Sequence, residues 1–183
     1  MEDLTGAERF SPVGGGRSGA TFAKAAASLS DGYTSDGRGD PIAKPACAVA
    51  TPDGGGPELT VGFRTTAAGS VDGSVDDRLT RYGVGRGAYV GLAHAYVYFD
   101  CASATFYGST REKPAVVLGE LADYAQGPGR DAPKGGAEKV REANLTVLHS
   151  LSLAMAEELG CAGDGGLGAE PALTPVARAS GQG

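Results

Sequence analysis

Two apolar segments dominate the pattern of hydrophobic and polar positions along the chain. Residues 87–100 read GAYVGLAHAYVYFD and are rich in Tyr, Val and Phe, which favour β-strands. Both alternating faces of this segment are largely apolar, so we expect a central strand that is covered on both sides. Residues 137–161 repeat apolar positions at helical spacing and predict a long helix. The stripe of this helix comprises Val140, Asn144, Leu148, Leu151, Met155 and Leu159.

Shorter patterns place a helix and a hairpin ahead of the central strand. Residues 20–29 carry an apolar helical face and follow Ser18, a residue type that is preferred at the N-cap. Residues 47–51 and 58–66 flank a turn rich in glycine and proline, and the second segment alternates apolar and polar side chains. Two such segments around a glycine-rich turn predict a β-hairpin.

Three weaker patterns complete the set of elements. Residues 75–82 predict a short helical turn, and residues 102–107 extend the central strand or pair with it. Residues 114–124 begin as a strand, with Val116, Val117 and Leu118 in succession, and we favour a strand throughout, although the pattern of residues 119–124 is also compatible with a helix. We expect the strand and the long helix to share one core. That predicted core comprises Phe63, Val97, Phe99, Leu148, Leu151 and Met155.

Glycine and proline mark the ends and the loops. The chain has 183 residues, with 31 glycines and ten prolines concentrated between the predicted elements and near both termini. This length suits one domain. We predict a single α+β domain over residues 17–162, an antiparallel sheet packed by an N-terminal helix and a long C-terminal helix. A flexible arm over residues 1–16 and a flexible tail over residues 163–183 would add little stability.

The charge excludes two classes of partner. The formal net charge is −6 and the isoelectric point is near 4.9. Nucleic-acid binders need a basic face, and anionic membrane surfaces attract basic segments, so we expect neither partner. No apolar run reaches the roughly 18 residues that a membrane span needs. The start, Met1-Glu2-Asp3, lacks the basic region of a signal peptide.

Candidate catalytic chemistry is sparse. Only His94 and His149 would serve as bases near neutral pH, and we interpret both as structural histidines. The spacing of these histidines, the cysteines and the carboxylates does not indicate a metal site. The nucleophile motifs G-x-S-x-G and S-x-x-K do not occur in the sequence. We therefore expect no catalytic residues, no metal ligands and no cofactor.

Three short motifs have simpler explanations. Residues 14–19 match G-x-G-x-x-G, but a proline breaks the segment where a dinucleotide-binding fold needs a strand. Arg38-Gly39-Asp40 lies in a loop rich in Gly and Asp, where the tripeptide arises by chance. Asn144-Leu145-Thr146 matches a glycosylation sequon inside a predicted helix, so we do not expect the asparagine to be modified.

The three cysteines allow one disulfide and leave one thiol over. Cys101 and Cys161 each end one of the two long apolar segments, and these segments are predicted to pack together. We therefore predict a disulfide between Cys101 and Cys161, with Cys47 free and buried. Two alternatives remain at this point, a Cys47–Cys101 pair and three reduced thiols in a cytosolic protein.

Three stretches carry a resemblance to known proteins. They are residues 46–64 (ACAVATPDGGGPELTVGFR), residues 93–101 (AHAYVYFDC) and residues 148–161 (LHSLSLAMAEELGC). They resemble the extracytoplasmic domains of uncharacterised actinobacterial membrane-anchored proteins and lipoproteins. The resemblance covers residues 21–161 and implies an antiparallel sheet packed by helices, a disulfide and a place outside the membrane. It also implies membrane anchoring through a leader outside this chain.

These observations favour an extracytoplasmic binding or interaction module without catalytic activity. Its partner would be a protein or a small ligand. The alternative is a hydrolase or another enzyme whose site is assembled from scattered residues. A deep pocket around His94 or His149 lined by carboxylates would favour the enzyme, whereas an exposed apolar groove would favour the binding module.

Overall fold

The computed structural model describes residues 11–12, 22–34, 42–50, 58–67, 78–124 and 136–177. Within these ranges, the elements in chain order are β1 (Ser11–Pro12), α1 (Phe22–Asp31), β2 (Lys44–Ala50), β3 (Leu59–Thr66), β4 (Thr80–Tyr82), β5 (Gly87–Val90), β6 (His94–Cys101), β7 (Ala115–Asp123), α2 (Ala137–Glu158) and the 3₁₀ helix η1 (Ala162–Gly166). The motifs at residues 14–19 and 38–40, and all of residues 1–10, lie outside the described residues.

These strands form one antiparallel sheet in the order β1-β2-β3-β7-β6-β5-β4. Strands β4 to β7 are consecutive neighbours, and β7 then pairs along its length with β3. Both long helices pack on the same face of the sheet, α1 against β2 and β3, and α2 against β5, β6 and β7. The predicted α+β fold, with an antiparallel sheet packed by an N-terminal and a long C-terminal helix, is confirmed.

The segment at residues 87–100, which we predicted as one strand, forms β5 and β6 with a tight turn between them. The Gly91 N–H donates to the His94 carbonyl oxygen at 2.8 Å and closes this turn. The Asn144 side chain on α2 donates to the carbonyl oxygens of Gly91 and Leu92 at 3.3 and 2.9 Å. Because a buried helix residue satisfies these groups, the turn needs no polar side chains of its own. Alternation alone therefore does not reveal it.

The prediction that residues 102–107 form or extend a strand is wrong. These residues form turns that wrap around the C-terminal end of α2. The hydroxyls of Ser103 and Thr105 both donate to the Leu159 carbonyl oxygen, at 2.5 and 3.1 Å. Carbonyl groups at the end of a helix have no partner within the helix, so these side chains satisfy one of them.

The short helical turn predicted at residues 75–82 is also not observed in the described part of that segment. Residues 80–82 instead form β4, which pairs with β5. The strand predicted over residues 114–124 is confirmed as β7, and the predicted hairpin is confirmed as β2 and β3. Three residues are too few for an alternating pattern to distinguish a strand from a helical turn.

The core lies between the sheet and the two helices. All six predicted core residues belong to it, five of them fully buried and Leu151 half-buried at its margin. Gly119 on β7 lets α2 approach closely, since a Cβ atom there would lie 2.9 Å from the Phe63 ring and 3.0 Å from the Ser152 hydroxyl oxygen. The prediction of one shared core is confirmed.

Cys101 and Cys161 form a disulfide, and their Cα atoms are 4.6 Å apart. The predicted pairing is confirmed, and the alternative Cys47–Cys101 pair is wrong. Cys47 is free and half-buried rather than fully buried, and burial raises the pKa of its thiol. A disulfide is consistent with an oxidising setting outside the cytoplasm. Among the helices described here, none is long and apolar enough to cross a membrane.

Residues 163–177, which we expected to begin a flexible tail, instead contact the domain. The side chain of Leu167 is buried, and its carbonyl oxygen lies 3.2 Å from Nε2 of the buried His149. Further along, Pro175 forms a β-bridge with Tyr82 on the edge strand β4. We call residues 162–177 the C-terminal strap, because they run from the disulfide to the edge of the sheet.

Candidate functional site

The face of the sheet opposite the two helices carries the candidate site, and we call it the helix-free face because none of the described helices packs on it. On β6, Val97, Phe99 and Cys101 are buried beneath α2, so the alternating residues point the other way. These are His94, Tyr96, Tyr98 and Asp100, of which His94 is exposed and the others are half-buried. Both faces of β5 are buried, whereas this face of β6 is exposed or half-buried, so the expectation that residues 87–100 are covered on both sides holds for β5 and is wrong for β6 in the described part of the chain.

Strand register brings small residues together on the helix-free face. Gly62 of β3 lies opposite Glu120 of β7, which in turn lies opposite Tyr96 of β6. In the next row, Thr60 lies opposite Ala122, and Ala122 lies opposite His94. Gly62 and Ala122 are small. By contrast, the row on the other side of Gly62 and Glu120 carries the larger side chains of Arg64 and Leu118, so the surface is depressed at Gly62 and Ala122.

This depression is a groove with a volume of about 550 Å³. We call it the sheet groove. Its floor is formed by β3 and β7, with β6 on one side and the start of β2 on the other. The described residues that line it are Ala43, Pro45, Thr60, Val61, Gly62, His94, Tyr96, Glu120, Leu121, Ala122 and Tyr124.

The sheet groove is open to solvent and has apolar side chains at its margin. Tyr124 is 53% exposed, and Ile42, the neighbour of the lining residue Ala43, is 68% exposed. Tyr124 is thus one of the few large apolar side chains with this exposure among the described residues, and it lines the groove. Exposed apolar surface beside a depression is typical of a binding site.

The carboxylate of the sheet groove is already paired. The Arg64 Nε–H donates to Oε1 of Glu120 at 2.6 Å, and both side chains are partly exposed, at 28% and 29%. An ion pair this exposed contributes at most about 1 kcal/mol to stability. Its larger consequence is electrostatic, because the Arg64 charge offsets the negative charge of Glu120 at one side of the groove.

A cluster of aromatic side chains adjoins the sheet groove. The rings of Tyr89 and Tyr98 meet edge to face, with centroids 6.1 Å apart, and Arg81 lies 5.9 Å above the Tyr89 ring. Tyr96 packs against this cluster and also lines the groove. Burial raises the pKa of the Tyr98 hydroxyl, so Tyr98 stays neutral well above physiological pH. The cluster borders one wall of the groove.

The two histidines that the sequence singled out lie on opposite faces of the sheet. His149 is buried under the C-terminal strap, and its contact with the Leu167 carbonyl oxygen confirms the structural interpretation. His94 is exposed and lines the sheet groove, so unlike His149 it lies outside the core. Asn144 is fully buried, which confirms that the sequon is not an accessible acceptor.

Sequence reasoning did not identify the sheet groove. The sequence does not single out Gly62, Ala122 or Tyr124, because each is unremarkable in its own segment. One signal was available at alternate positions of β6. Each of His94, Tyr96, Tyr98 and Asp100 carries a polar atom, which is typical of a strand face that contacts solvent or a ligand.

The residues that line the sheet groove determine what chemistry it can offer. The described lining carries the hydroxyls of Thr60, Tyr96 and Tyr124, and no serine, cysteine or lysine is among these described residues. Glu120 is tied to Arg64, and His94 lies one row away from Glu120 on the sheet. Among the residues described, no group of three or more His, Cys, Asp and Glu side chains is placed to hold a metal ion.

Comparisons of this chain with protein-family models, with curated proteins and with solved structures find no match.

Proposed function

We propose that this protein is a non-enzymatic binding module that acts outside the cytoplasm, and that the sheet groove holds its ligand. The observation that carries the proposal is a groove of about 550 Å³ with aromatic side chains on a floor of small residues. Small-molecule sites usually enclose roughly 300–1,000 Å³ and combine apolar walls with a few polar groups. The sheet groove matches both criteria.

The placement outside the cytoplasm is supported by the disulfide. Disulfides persist in oxidising compartments and are rare in reducing ones. Cys101 is fully buried and Cys161 nearly so, and a bridge so placed is protected from exchange with soluble thiols. The resemblance to actinobacterial extracytoplasmic domains and lipoproteins points the same way, and we propose secretion or membrane anchoring through a leader on that basis.

A hydrolase remains the second candidate because His94 and Glu120 both line the sheet groove. They are diagonal neighbours across β6 and β7, a relation that separates two residues by about 7–8 Å. A histidine and a carboxylate at this separation could act on opposite sides of a bound water. Against this, Glu120 is engaged by Arg64, and the open groove does not exclude bulk solvent.

A fragment screen by ligand-observed NMR tests the binding proposal. We expect a set of small molecules to bind the wild-type protein and to lose binding in Tyr96→Ala and in Ala122→Phe, which fills the groove. Tyr107→Ala is the matched control, because Tyr107 is 88% exposed and does not line the groove. Binding that is unaffected by both groove variants would refute the assignment. Turnover of a bound compound that stops in His94→Ala would favour the hydrolase.

A further inference from the structure

The residues that line the sheet groove also indicate the class of its ligand. Building on the proposed function, we infer that the groove binds a neutral saccharide, of more than one ring, which stacks on tyrosine side chains and is held by hydroxyl groups. Three features of the described residues support this inference: the charge of the lining, its hydrogen-bonding groups and its shape.

The charge of the lining favours an uncharged ligand. Among the described residues that line the sheet groove, none is a lysine or an arginine, and the Arg64 guanidinium beside it is already paired with Glu120, so a phosphate or carboxylate ligand would have to compete with Glu120 for this cation. Among the described lining residues Glu120 is the one carboxylate, and Arg64 offsets its charge at 2.6 Å. A cationic ligand would therefore gain little attraction from Glu120.

The hydrogen-bonding groups of the lining match hydroxyls. The side chains of Thr60, Tyr96 and Tyr124 end in hydroxyl groups, which both donate and accept. The imidazole of His94, when neutral, offers one donor and one acceptor nitrogen. Sugar hydroxyls also donate and accept, so each can pair with any of these groups. The second oxygen of Glu120 adds an acceptor.

The shape of the sheet groove suits a ring that keeps one side in water. Gly62 and Ala122 leave a flat floor, and Tyr96 and Tyr124 supply aromatic surface beside it. Tyrosine is amphipathic, with an apolar ring and a polar tip, and so is a pyranose, with C–H groups on its faces and hydroxyls around its edge. Because the groove is open, a purely apolar ligand would remain partly exposed to water. A saccharide keeps its outward hydroxyls hydrated.

The length of the sheet groove favours more than one ring. It crosses β2, β3, β7 and β6, which lie side by side in the sheet. Three inter-strand spacings of about 4.8 Å each give a span of roughly 14 Å. A single pyranose would occupy only part of this span, so we expect an oligosaccharide to bind more tightly than the monosaccharide from which it is built.

The test uses a defined panel of neutral probes on the full chain. The saccharides are maltotriose, cellotriose, the N-acetylglucosamine trimer and trehalose, each with its monosaccharide. Indole, benzamidine and benzoate represent a planar neutral ring, a cation and an anion. Saturation-transfer NMR detects binding. Chemical shifts of the tyrosine rings then locate the bound probe, and no tryptophan signals overlap them because the protein contains no tryptophan.

We expect at least one neutral oligosaccharide to bind and to shift the Tyr96 and Tyr124 resonances. Tyr96→Ala should weaken its binding about tenfold or more, because the stacking surface is lost, whereas Tyr96→Phe should weaken it less. Tyr107→Ala should leave binding unchanged. Ala122→Phe provides a second groove variant on a different strand, so a folding defect in Tyr96→Ala would not remove the test.

Two different failures can be told apart. If indole, benzamidine or benzoate binds in a manner that depends on Tyr96, and no saccharide of the panel binds, the saccharide inference is overturned while the binding function stands. If no probe binds, or if binding is insensitive to both Tyr96→Ala and Ala122→Phe, both the saccharide inference and the sheet groove as ligand site are overturned.

Discussion

The same strands build two very different surfaces on the two faces of the sheet. On β6, Val97 and Phe99 are completely buried under α2. Tyr96 and Tyr98, which alternate with them along the strand, are only half-buried. The covered face is a continuous apolar core, and the helix-free face combines aromatic, charged and very small side chains. The covered face thus stabilises the fold, and the helix-free face is free to vary in chemistry.

The helix-free face is itself divided into two parts. Val116 and Leu118 on β7 are buried although none of the described helices covers them, and Val116 packs within the aromatic cluster. Two residues further along the same strand, Glu120 and Ala122 line the sheet groove. The contrast shows that the helix-free face is uneven, and that a depression forms where the side chains are small.

Removing the disulfide should have the largest effect on the covered face. The bridge joins cysteines 60 residues apart, and the chain-entropy model assigns about 4 kcal/mol to a loop of this length. We expect Cys101→Ala combined with Cys161→Ala to lower the free energy of unfolding by this amount in urea titrations. Cys47→Ala, which removes a free thiol, should lower it far less. Equal losses in both variants would contradict the assignment.

Leu148→Ala should reveal the difference between the two faces most directly. Leu148 is fully buried, and one of its methyl groups would lie 3.3 Å from a Cβ atom at Gly119. Leu→Ala changes in cores cost about 2–5 kcal/mol, and we expect a loss near 3 kcal/mol. Tyr96→Ala on the opposite face removes only partly buried surface and should cost roughly 1 kcal/mol. A larger loss for Tyr96→Ala in urea titrations would reverse the comparison.

Leu167→Ala tests whether the C-terminal strap belongs to the covered face. Its side chain is 5% exposed, and full burial of a leucine contributes about 1.5–3 kcal/mol. We therefore expect a loss of about 2 kcal/mol, measured by urea denaturation. Leu173→Ala in the same strap is the control, because Leu173 is 39% exposed. If Leu167→Ala were as harmless as its control, the strap would add nothing to stability.

The smallest expected effect is a loss of stability in alkaline solution. Burial raises the pKa of Tyr82 on the covered face and of Tyr98 on the helix-free face above the ordinary value of 10.0. Between pH 10.0 and these higher values the unfolded chain releases protons that the folded chain retains. The contribution of these two tyrosines to the free energy of unfolding should therefore be complete below about pH 10.0 and fall as the pH rises above it.

Single substitutions apportion this alkaline effect between the two faces. Tyr82→Phe and Tyr98→Phe should each flatten the decline of the free energy of unfolding with pH, because each removes one such proton. Urea titrations at a series of alkaline pH values measure the slope. An unchanged slope in both variants would show that other groups govern the alkaline transition.

The sequence predicted most of the covered face and little of the helix-free face. The stripe of α2, the alternation of β3 and the apolar residues of β6 placed the core residues correctly, because an apolar side chain at a regular period has to be buried somewhere. The disulfide followed, since Cys101 and Cys161 end two elements that share this core. The helix-free face gives a weaker signal, because its residues are individually compatible with any exposed strand.

What the sequence by itself determined is the local period of most elements, and it favoured one pairing of the cysteines. The tertiary structure decided the rest. The turn at Gly91 exists because Asn144, 53 positions away, satisfies its carbonyl groups, and the C-terminal strap is held by contacts to His149 and Tyr82. The sheet groove arises only when strand register places Gly62 and Ala122 in adjacent rows. Local periodicity records whether a side chain is buried or exposed. It cannot record which distant segment lies beside it, because that partner is chosen by the pairing of strands and the packing of helices across the whole chain.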